Sequence, residues 1–376
     1  MYYNIVMYEQ LKKTIIAKYA VKGKPIAEKS VDKYLSDIQK IKSIINHEGS
    51  DDDISFLYNF DDVSACIENM RGRKVINGEK VLASNNTKRN YYQSIVSVMD
   101  AIDDYTVLAK YQKVVNNYNK DYKVNLNKNN ESLTTENEEK LISFEDLQKI
   151  LSSIKLKTRD ILDKYKHKLP LTDEDMNTYQ TYTLLRLYMA FPARNEFGTL
   201  LWQARKTELD KTQNYVFLST SMKKEKSILT INVYKTAGLY DTRIIPLDER
   251  VNLTGTLTQW RMLLRTYARQ SDDVKPFKAG LPVFYPRFFD KDGVSWRSDG
   301  MTSNKLSKYF TRFFQKQIGK NISTTSIAKI VNSHENKQSA DSLKKNSKAR
   351  GTSVGTLSAV YCPTLPSSTL TSPEVI

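Results

Sequence analysis

The segment from Tyr188 to Trp202 carries the residue types best suited to chemistry in this chain. An apolar helical run leads to Arg194, Glu196 follows two residues later, and an apolar stretch then returns the chain to a core. A guanidinium group matches the paired oxygens of a phosphate or phosphodiester, so on a basic protein this segment indicates a phosphate pocket. The alternative is a buried Arg194–Glu196 ion pair that orients the end of a helix.

A lysine further along the chain stands between two strand-like segments. Lys235 follows 227–234 and precedes 240–247, which carries Arg243. Together with 214–220, these segments predict a three-stranded antiparallel sheet with Lys235 in a hairpin. A lysine at a hairpin tip is usually a solvated turn residue, but Arg243 on the next strand favours a functional role.

The remaining chain has helical periodicity and divides into two predicted domains. Residues 1–125 predict a helical domain, 126–140 a polar linker, and 141–376 a second domain of mixed structure. The predicted fold class is therefore α+β, mainly helical with a small antiparallel sheet.

Four helices are predicted in the first domain, with Ser30 as an alternative N-cap of the first one and a basic loop or short hairpin at 71–80. These helices cover 26–45, 59–70, 84–103 and 107–121. A capping box at Ser143 opens the second domain, and His334 is expected in a surface loop. The predicted helices of the second domain cover 143–156, 172–191, 252–270, 302–318 and 323–332.

The charge of the protein favours an anionic partner. The 376 residues include 58 Lys and Arg against 42 Asp and Glu, a net charge of +16. Nucleic acid is the favoured partner, with an acidic membrane surface as the alternative that composition leaves open. Residues 301–350 hold 11 basic and 2 acidic residues interrupted by aromatic ones. That tract indicates an amphipathic element lying along phosphates, or else a solvated helix face.

Several classes of protein do not fit this composition. No run of about twenty apolar residues is present, so we expect no membrane span. Two cysteines, Cys66 and Cys362, and three histidines predict neither a disulfide framework nor a zinc site. The first residues lack signal-peptide features, and we expect an intracellular protein.

The order of these features resembles the tyrosine recombinases, also called phage-type integrases. The order is a helical domain, a linker, helices with Arg194, a sheet with Lys235 in a hairpin, helices with a basic tract, and then Tyr361. The motifs lie in 188–247 and 318–361, and the block around Arg194 is most similar to recombinases of eukaryotic mobile elements and DNA viruses. The resemblance implies site-specific DNA strand exchange, as in integration or excision, through a covalent 3′-phosphotyrosine intermediate.

The resemblance also assigns roles to individual residues. Arg194 is the first arginine, which holds the nonbridging phosphate oxygens, and Lys235, in Asn-Val-Tyr-Lys-Thr-Ala-Gly, protonates the departing 5′ oxygen. The Gly-Thr-Ser sequence at 351–353 resembles the family's Gly-His-Ser, with Thr352 at the histidine position. Tyr361 follows nine residues later and is the implied nucleophile.

The chain departs from the family pattern at several positions. Thr325 and Ala328 occupy the His-x-x-Arg positions, so the second arginine is missing, and Thr352 replaces a histidine. Glu196 follows Arg194 by two residues, whereas the family's acid follows its arginine by three. Losing one charge-assisted phosphate contact costs roughly 3–4 kcal/mol of transition-state stabilisation in analogous oxyanion sites.

Three explanations of the missing arginine remain open. Arg350 or Lys329 replaces it in space, the protein is a degenerate relative that only binds DNA, or the chain has been altered. We favour a natural, divergent enzyme, although Lys329 is expected to face another way from Ala328 on a helix. A type IB topoisomerase shares the chemistry, but the hairpin and the N-terminal helices fit a recombinase better.

The implied partners are double-stranded DNA and further copies of the chain, four protomers assembling on two DNA sites. Neither a metal nor a nucleotide cofactor is expected, and the implied location is the nucleus or, for a viral protein, the host cytoplasm or viral factories. Each of the following basic residues is either a DNA contact or an ordinary solvated surface residue. The candidate DNA contacts are Arg71, Arg73, Lys74, Lys88, Arg89, Arg243, Lys305 and Lys329.

Overall fold

The chain folds into two units, Met1–Leu126 and Asn127–Ile376, each with its own hydrophobic core. The computed structural model describes residues 2–23, 26–48, 53–76, 78–131, 135–204, 210–219, 226–234, 241–248, 252–270, 280–288, 300–336, 347, 354, 356–357, 362 and 365.

Helices make up most of the first unit. They are α1 (Tyr2–Val21), α2 (Glu28–Ile45), α3 (Phe60–Asn69), α4 (Asn85–Ala101) and α5 (Leu108–Glu131). A single 3₁₀ turn, Ser55–Tyr58, precedes α3. The prediction of four helices was wrong because it lacked α1, whose apolar residues are spread around the helix instead of forming one stripe.

The helical periodicity predicted for this unit places most of its apolar residues in the core. On α2 the buried apolar residues are Val31, Leu35, Ile38 and Ile41. The predicted alternative start at Ser30 was wrong, because α2 already begins at Glu28. Ser84 caps α4 by accepting a hydrogen bond from the Thr87 N–H at 3.3 Å, which satisfies a backbone donor without an intrahelical partner.

The basic segment at 71–80 is a hairpin. Strand β1 (Arg71–Ile76) pairs antiparallel with β2 (Glu79–Leu82). Gly78 has a φ of 83°, a left-handed conformation that glycine adopts without steric cost.

The predicted linker at 126–140 is helical where the structure describes it. Helix α5 continues to Glu131, ten residues past its predicted end at Asp121, and α6 covers Thr135–Lys140. The residues after Asp121 have no apolar stripe, because residues 121–125 are all exposed. A solvated helix therefore has a composition that also predicts a linker.

The second unit contains the remaining helices. They are α7 (Phe144–Lys166), α8 (Asp173–Ala190), α9 (Leu253–Arg269), α10 (Ser303–Ile318) and α11 (Thr324–Asn336). Ser143 caps α7 as predicted, accepting a hydrogen bond from the Asp146 N–H at 3.0 Å. Helix α7 is ten residues longer than predicted, and its buried face continues to Ile161.

The predicted surface-loop position of His334 was wrong. Helix α11 extends four residues past the predicted end at 332, so His334 is helical. Its ring stacks on Phe144, with centroids 3.8 Å apart and planes 9° apart. This contact joins α11 to the first turn of α7, and a contact so distant in sequence has no local signal.

The sheet of the second unit has four strands rather than the predicted three. Its order is β3 (Leu200–Gln203), β4 (Asn214–Phe217), β5 (Ile228–Ile231) and β6 (Arg243–Pro246). The β4–β5–β6 part is antiparallel as predicted, whereas β3 pairs parallel with β4. The Trp202 N–H also donates to the Leu281 carbonyl at 2.8 Å, so a segment near Pro282 covers the other edge of β3.

The described residues are mostly helical with two small sheets, in agreement with the α+β class. Among them, no helix combines the length and apolarity needed to cross a bilayer.

Candidate functional site

The turn after α8 holds Arg194 in a fixed backbone conformation. The Tyr188 hydroxyl donates a hydrogen bond to the carbonyl of Arg194, and the Ala193 N–H donates to the Phe191 carbonyl at 2.6 Å. Tyr188 is fully buried, and its ring meets that of Phe197 edge-on at 5.0 Å. A buried aromatic side chain therefore positions the backbone that carries the half-exposed Arg194.

The neighbouring Asn195 connects this turn to two helix N-termini. The Thr324 hydroxyl, at the start of α11, donates to Asn195 Oδ1. The Ser303 hydroxyl, at the start of α10, donates to the Asn195 carbonyl at 3.4 Å. Sequence reasoning missed Asn195, Ser303 and Thr324, because more than a hundred residues separate the partners and each is an ordinary cap or turn residue.

Glu196 is buried next to this turn without forming the predicted ion pair. Its side chain is 8% exposed, and the Oε2 atom has no hydrogen-bond partner. Glu196 and Arg194 are both described and form no ion pair with each other, so the alternative of a structural Arg194–Glu196 pair was wrong. The close packing continues at Gly198, where an added Cβ would lie 3.1 Å from the Thr302 carbonyl oxygen.

Lys235 lies outside the described residues, but both flanks of its segment are described. The Thr242 hydroxyl donates to Asn232 Oδ1 at 2.7 Å, and the Tyr234 hydroxyl donates to the Asp241 carbonyl at 2.6 Å. Arg243 lies over the Tyr234 ring at 5.1 Å from its centroid. These contacts hold residues 232–234 against residues 241–243, at the two ends of the segment that connects the antiparallel strands β5 and β6.

Three further predicted site residues, Arg350, Thr352 and Tyr361, also lie outside the described residues. Described neighbours lie on both sides of Tyr361. Leu357 is fully buried, and the Cys362 thiol donates to the Leu357 carbonyl at 3.4 Å.

Helix α11 presents the positions of the missing His-x-x-Arg block on different faces. Thr325 is exposed, Ala328 is completely buried, and Lys329 is partly buried. Lys329 therefore faces another way from Ala328, as predicted. The hydrogen bond from Thr324 to Asn195 places the first turn of α11, with Thr325, beside the turn that carries Arg194.

The candidate DNA contacts of the first unit differ in their surroundings. Arg71 is exposed, and its Nη1 atom donates to the Lys80 carbonyl at 3.1 Å. Arg89 is half-buried over the Tyr122 ring, 5.1 Å from its centroid. The side chains of Arg73 and Lys74 lie outside the described residues.

Lys88 is less accessible than a phosphate contact on a solvated surface would be. It is 8% exposed, and its Nζ atom donates to Glu68 Oε2 at 2.8 Å. A lysine that already neutralises a nearby carboxylate gains less from a phosphate. In the second unit, Lys305 is partly exposed in the first turn of α10.

Sequence reasoning also missed two arginines that contact aromatic rings. Arg186 lies over Tyr182 at 5.7 Å and donates to the Thr256 hydroxyl. Arg261, on α9, lies over Trp202 at 5.8 Å, and its buried Nε atom has no hydrogen-bond partner. Burial and the nearby positive charge of Arg265 lower the pKa of Arg261.

Hydrogen bonds thus join the Arg194 turn to the N-termini of α10 and α11. Other hydrogen bonds hold together the two flanks of the segment that carries Lys235. The turn presents a guanidinium, whose chemistry is the binding of oxyanions. In the part of the chain that the structure describes, no three His, Cys, Asp or Glu side chains converge as a metal site would need.

Comparison with known proteins finds little likeness. No family model matches the chain, and no curated protein matches it. Among solved structures, the crystal structure of XerA recombinase aligns with a TM-score of 0.34 and 11% sequence identity, over 94% of this chain and 93% of that chain. A likeness of this degree does not assign an activity.

Proposed function

We propose that the protein breaks and rejoins DNA strands in the manner of a tyrosine recombinase. Tyr361 attacks a backbone phosphorus and forms a 3′-phosphotyrosine bond, while Arg194 binds the nonbridging oxygens. The P–O5′ bond breaks, and Lys235 protonates the departing 5′ oxygen. The bond energy stays in the covalent intermediate and is available for rejoining to a new 5′ end.

The observation that carries the proposal is the fixed turn at Arg194. Its backbone is held by Tyr188, and its neighbour Asn195 is held by Thr324 and Ser303. A guanidinium stabilises a transition state best when it is positioned before the reaction, because no reorganisation then opposes the development of charge.

The contacts between residues 232–234 and 241–243, on either side of the β5–β6 connection, are the second support. The hydrogen bonds from Thr242 to Asn232 and from Tyr234 to Asp241 fix the two flanks of the segment to which the proposal assigns the general acid Lys235. The proposal includes double-stranded DNA as the substrate, four protomers on two DNA sites, and no metal or nucleotide cofactor.

The test is a suicide substrate, a duplex nicked near the cleavage site so that the released fragment diffuses away and the covalent adduct accumulates. We expect a protein–DNA adduct that resists denaturation with the wild-type chain and none with Tyr361→Phe. Tyr165→Phe is the matched control, because Tyr165 is a partly buried core residue of the same unit. Adduct formation by Tyr361→Phe at the wild-type level would overturn the assignment of the nucleophile.

One observation favours a second candidate function, DNA binding without strand exchange. Ala328 stands at the position of the second arginine, where its methyl side chain provides no cation, and it is completely buried. In that case the wild-type chain binds duplex DNA, and its binding weakens steeply with salt. No adduct then forms with any substrate, and Tyr361→Phe binds as tightly as the wild type.

Relaxation of supercoiled plasmid without a specific site would instead favour the topoisomerase alternative.

A further inference from the structure

Most of the described side chains of the β1–β2 hairpin are exposed. Val75 and Leu82 are 53% and 51% exposed, and Arg71, Glu79 and Lys80 are also exposed. An isolated two-stranded hairpin is only marginally stable in water. Val75 and Leu82 therefore place two large apolar side chains on the solvent-exposed surface of a small element.

The base of the hairpin is fixed to the core of the first unit. The Ala83 N–H donates to the Met70 carbonyl at 2.8 Å, and these residues are 6% and 5% exposed. Arg71 Nη1 adds a hydrogen bond to the Lys80 carbonyl across the two strands. The element is thus a projecting ribbon with a rigid attachment.

The charge of the ribbon indicates the chemistry of its partner. Residues 71–80 carry four basic residues and one acidic residue. Among their described side chains, Arg71, Glu79 and Lys80 form no ion pair. The described charges of Arg71 and Lys80 are therefore not paired within the ribbon, and its surplus of basic residues makes a polyanion the complementary partner.

An irregularity in the pairing argues against a second copy of the chain as the partner. From Arg71 to Val75 the first strand advances four residues, while its partner advances two, from Leu82 to Lys80. The extra residues form a bulge at 72–74, and bulges twist an edge strand and hinder pairing with another edge.

We propose that this ribbon enters the major groove of duplex DNA. The groove is about 12 Å wide and admits a two-stranded ribbon, and β1 with six residues is about 20 Å long. The basic residues bind phosphates and guanine edges, while Val75 and Leu82 offer apolar contact to thymine methyl groups. This inference rests on the DNA-binding part of the proposed function and not on strand exchange.

The test compares two pairs of lysines in the full-length chain. Lys74→Gln/Lys80→Gln removes two charges from the ribbon, and Lys13→Gln/Lys29→Gln removes two from exposed helical positions of the same unit. Duplex affinity is measured by fluorescence anisotropy over a range of salt concentrations. The slope of log K against log salt is negative. We expect the ribbon variant to make it less steep by about 1.8, at about 0.9 for each lost phosphate contact, and the control variant to leave it unchanged.

A second measurement addresses the groove. Guanine N7 lies in the major groove. We expect its methylation to weaken DNA binding by the wild type at certain guanines, and methylation of the same guanines to leave binding by the ribbon variant unchanged. Equal salt slopes for the two lysine variants, or no interference at any guanine, would overturn the inference. The latter result includes the case in which the ribbon binds another protein.

The two proposals fail in different ways. If the wild type forms no adduct but the ribbon variant still makes the salt slope less steep, strand exchange is wrong and the ribbon inference stands. If adduct forms and both lysine variants bind alike, strand exchange stands and the ribbon inference is wrong. If the wild type binds no duplex, both are wrong.

Discussion

The two units treat their buried polar groups differently. In the described part of the first unit, every buried side-chain nitrogen and oxygen atom has a hydrogen-bond partner. The described part of the second unit keeps exceptions at Glu196, Arg261 and Asn332. Each unsatisfied buried group costs about 1–3 kcal/mol. The first unit is therefore organised for stability, whereas the second keeps polar groups that stability alone does not explain.

Glu68 illustrates the arrangement in the first unit. Its carboxylate accepts hydrogen bonds from Lys88 at 2.8 Å, Tyr118 at 2.6 Å and Tyr92 at 3.2 Å. Burial acts to raise the pKa of Glu68, but the bonds from Lys88 and Tyr118 outweigh it and lower the pKa. Burial raises the pKa of Tyr92 to about 12, so this tyrosine remains a hydrogen-bond donor at neutral pH.

Two of the exceptions in the second unit, Glu196 and Asn332, belong to the Arg194 turn and to the helix that contacts this turn. Glu196 follows Arg194 by two residues, and Asn332 lies on α11, whose first turn holds Asn195. A buried polar group without a partner calls for an explanation, and a functional role is one such explanation. The contrast predicts that substitutions in the second unit change chemistry and that those in the first change stability.

The largest expected effect is that of Arg194→Ala on chemistry. We expect adduct formation from the suicide substrate to fall 10²- to 10³-fold, because one preorganised cation at the phosphate is lost. Duplex affinity and the melting temperature should change little. Arg269→Ala is the control, since Arg269 is an exposed arginine of the same unit. A drop in stability that accounts for the lost adduct would contradict the contrast.

A smaller effect, on stability only, is expected for Glu68→Gln. The substitution leaves the buried Lys88 ammonium without its carboxylate. Because the Glu68 side chain is 43% exposed and solvent screens the pair, we expect the free energy of unfolding to fall by only about 1 kcal/mol. Urea unfolding measures this change, with the exposed Glu9→Gln as the control. Unchanged stability would show that the Glu68 network does not hold the first unit together.

Asn332→Leu is expected to have the opposite sign. Both polar atoms of this fully buried side chain lack partners, so an apolar side chain of similar size should stabilise the protein by about 1 kcal/mol. The exposed Asn321→Leu is the control. A loss of adduct formation together with a gain of stability would sharpen the contrast, because it would identify Asn332 as a group kept for function.

The smallest effect concerns acid stability in the first unit. Hydrogen bonds from His47 and from Ser55 lower the pKa of Asp53 below its ordinary value of 3.8. The folded state binds the proton of Asp53 less tightly than the unfolded state, so this contribution is complete above about pH 4 and is lost as the pH falls further. The urea midpoint of Asp53→Asn should therefore lie below that of the wild type at pH 7, and the two midpoints should approach each other at pH 3. A difference that grows toward pH 3 would reverse the sign.

Local patterns predicted much of the fold. The helical periods of α2 and α4, the cap at Ser143 and the strands β4 to β6 all follow from residues close in sequence. Three of the errors have a common cause, which is that α1, the end of α5 and the strand β3 lack a clear local stripe. They form because of tertiary packing or solvation, which override weak local preference.

The sequence by itself determined the helical and strand periods, the surplus of positive charge and the candidate residues Arg194, Lys235 and Tyr361. Only the tertiary structure decided that Asn195 joins the Arg194 turn to α10 and α11, that Ala328 is buried, and that the basic 71–80 segment projects as a ribbon. The reason is physical, since periods and capping depend on neighbours within a few residues. Hydrogen bonds between groups a hundred residues apart, and the exposure of a given face, depend on how the whole chain packs.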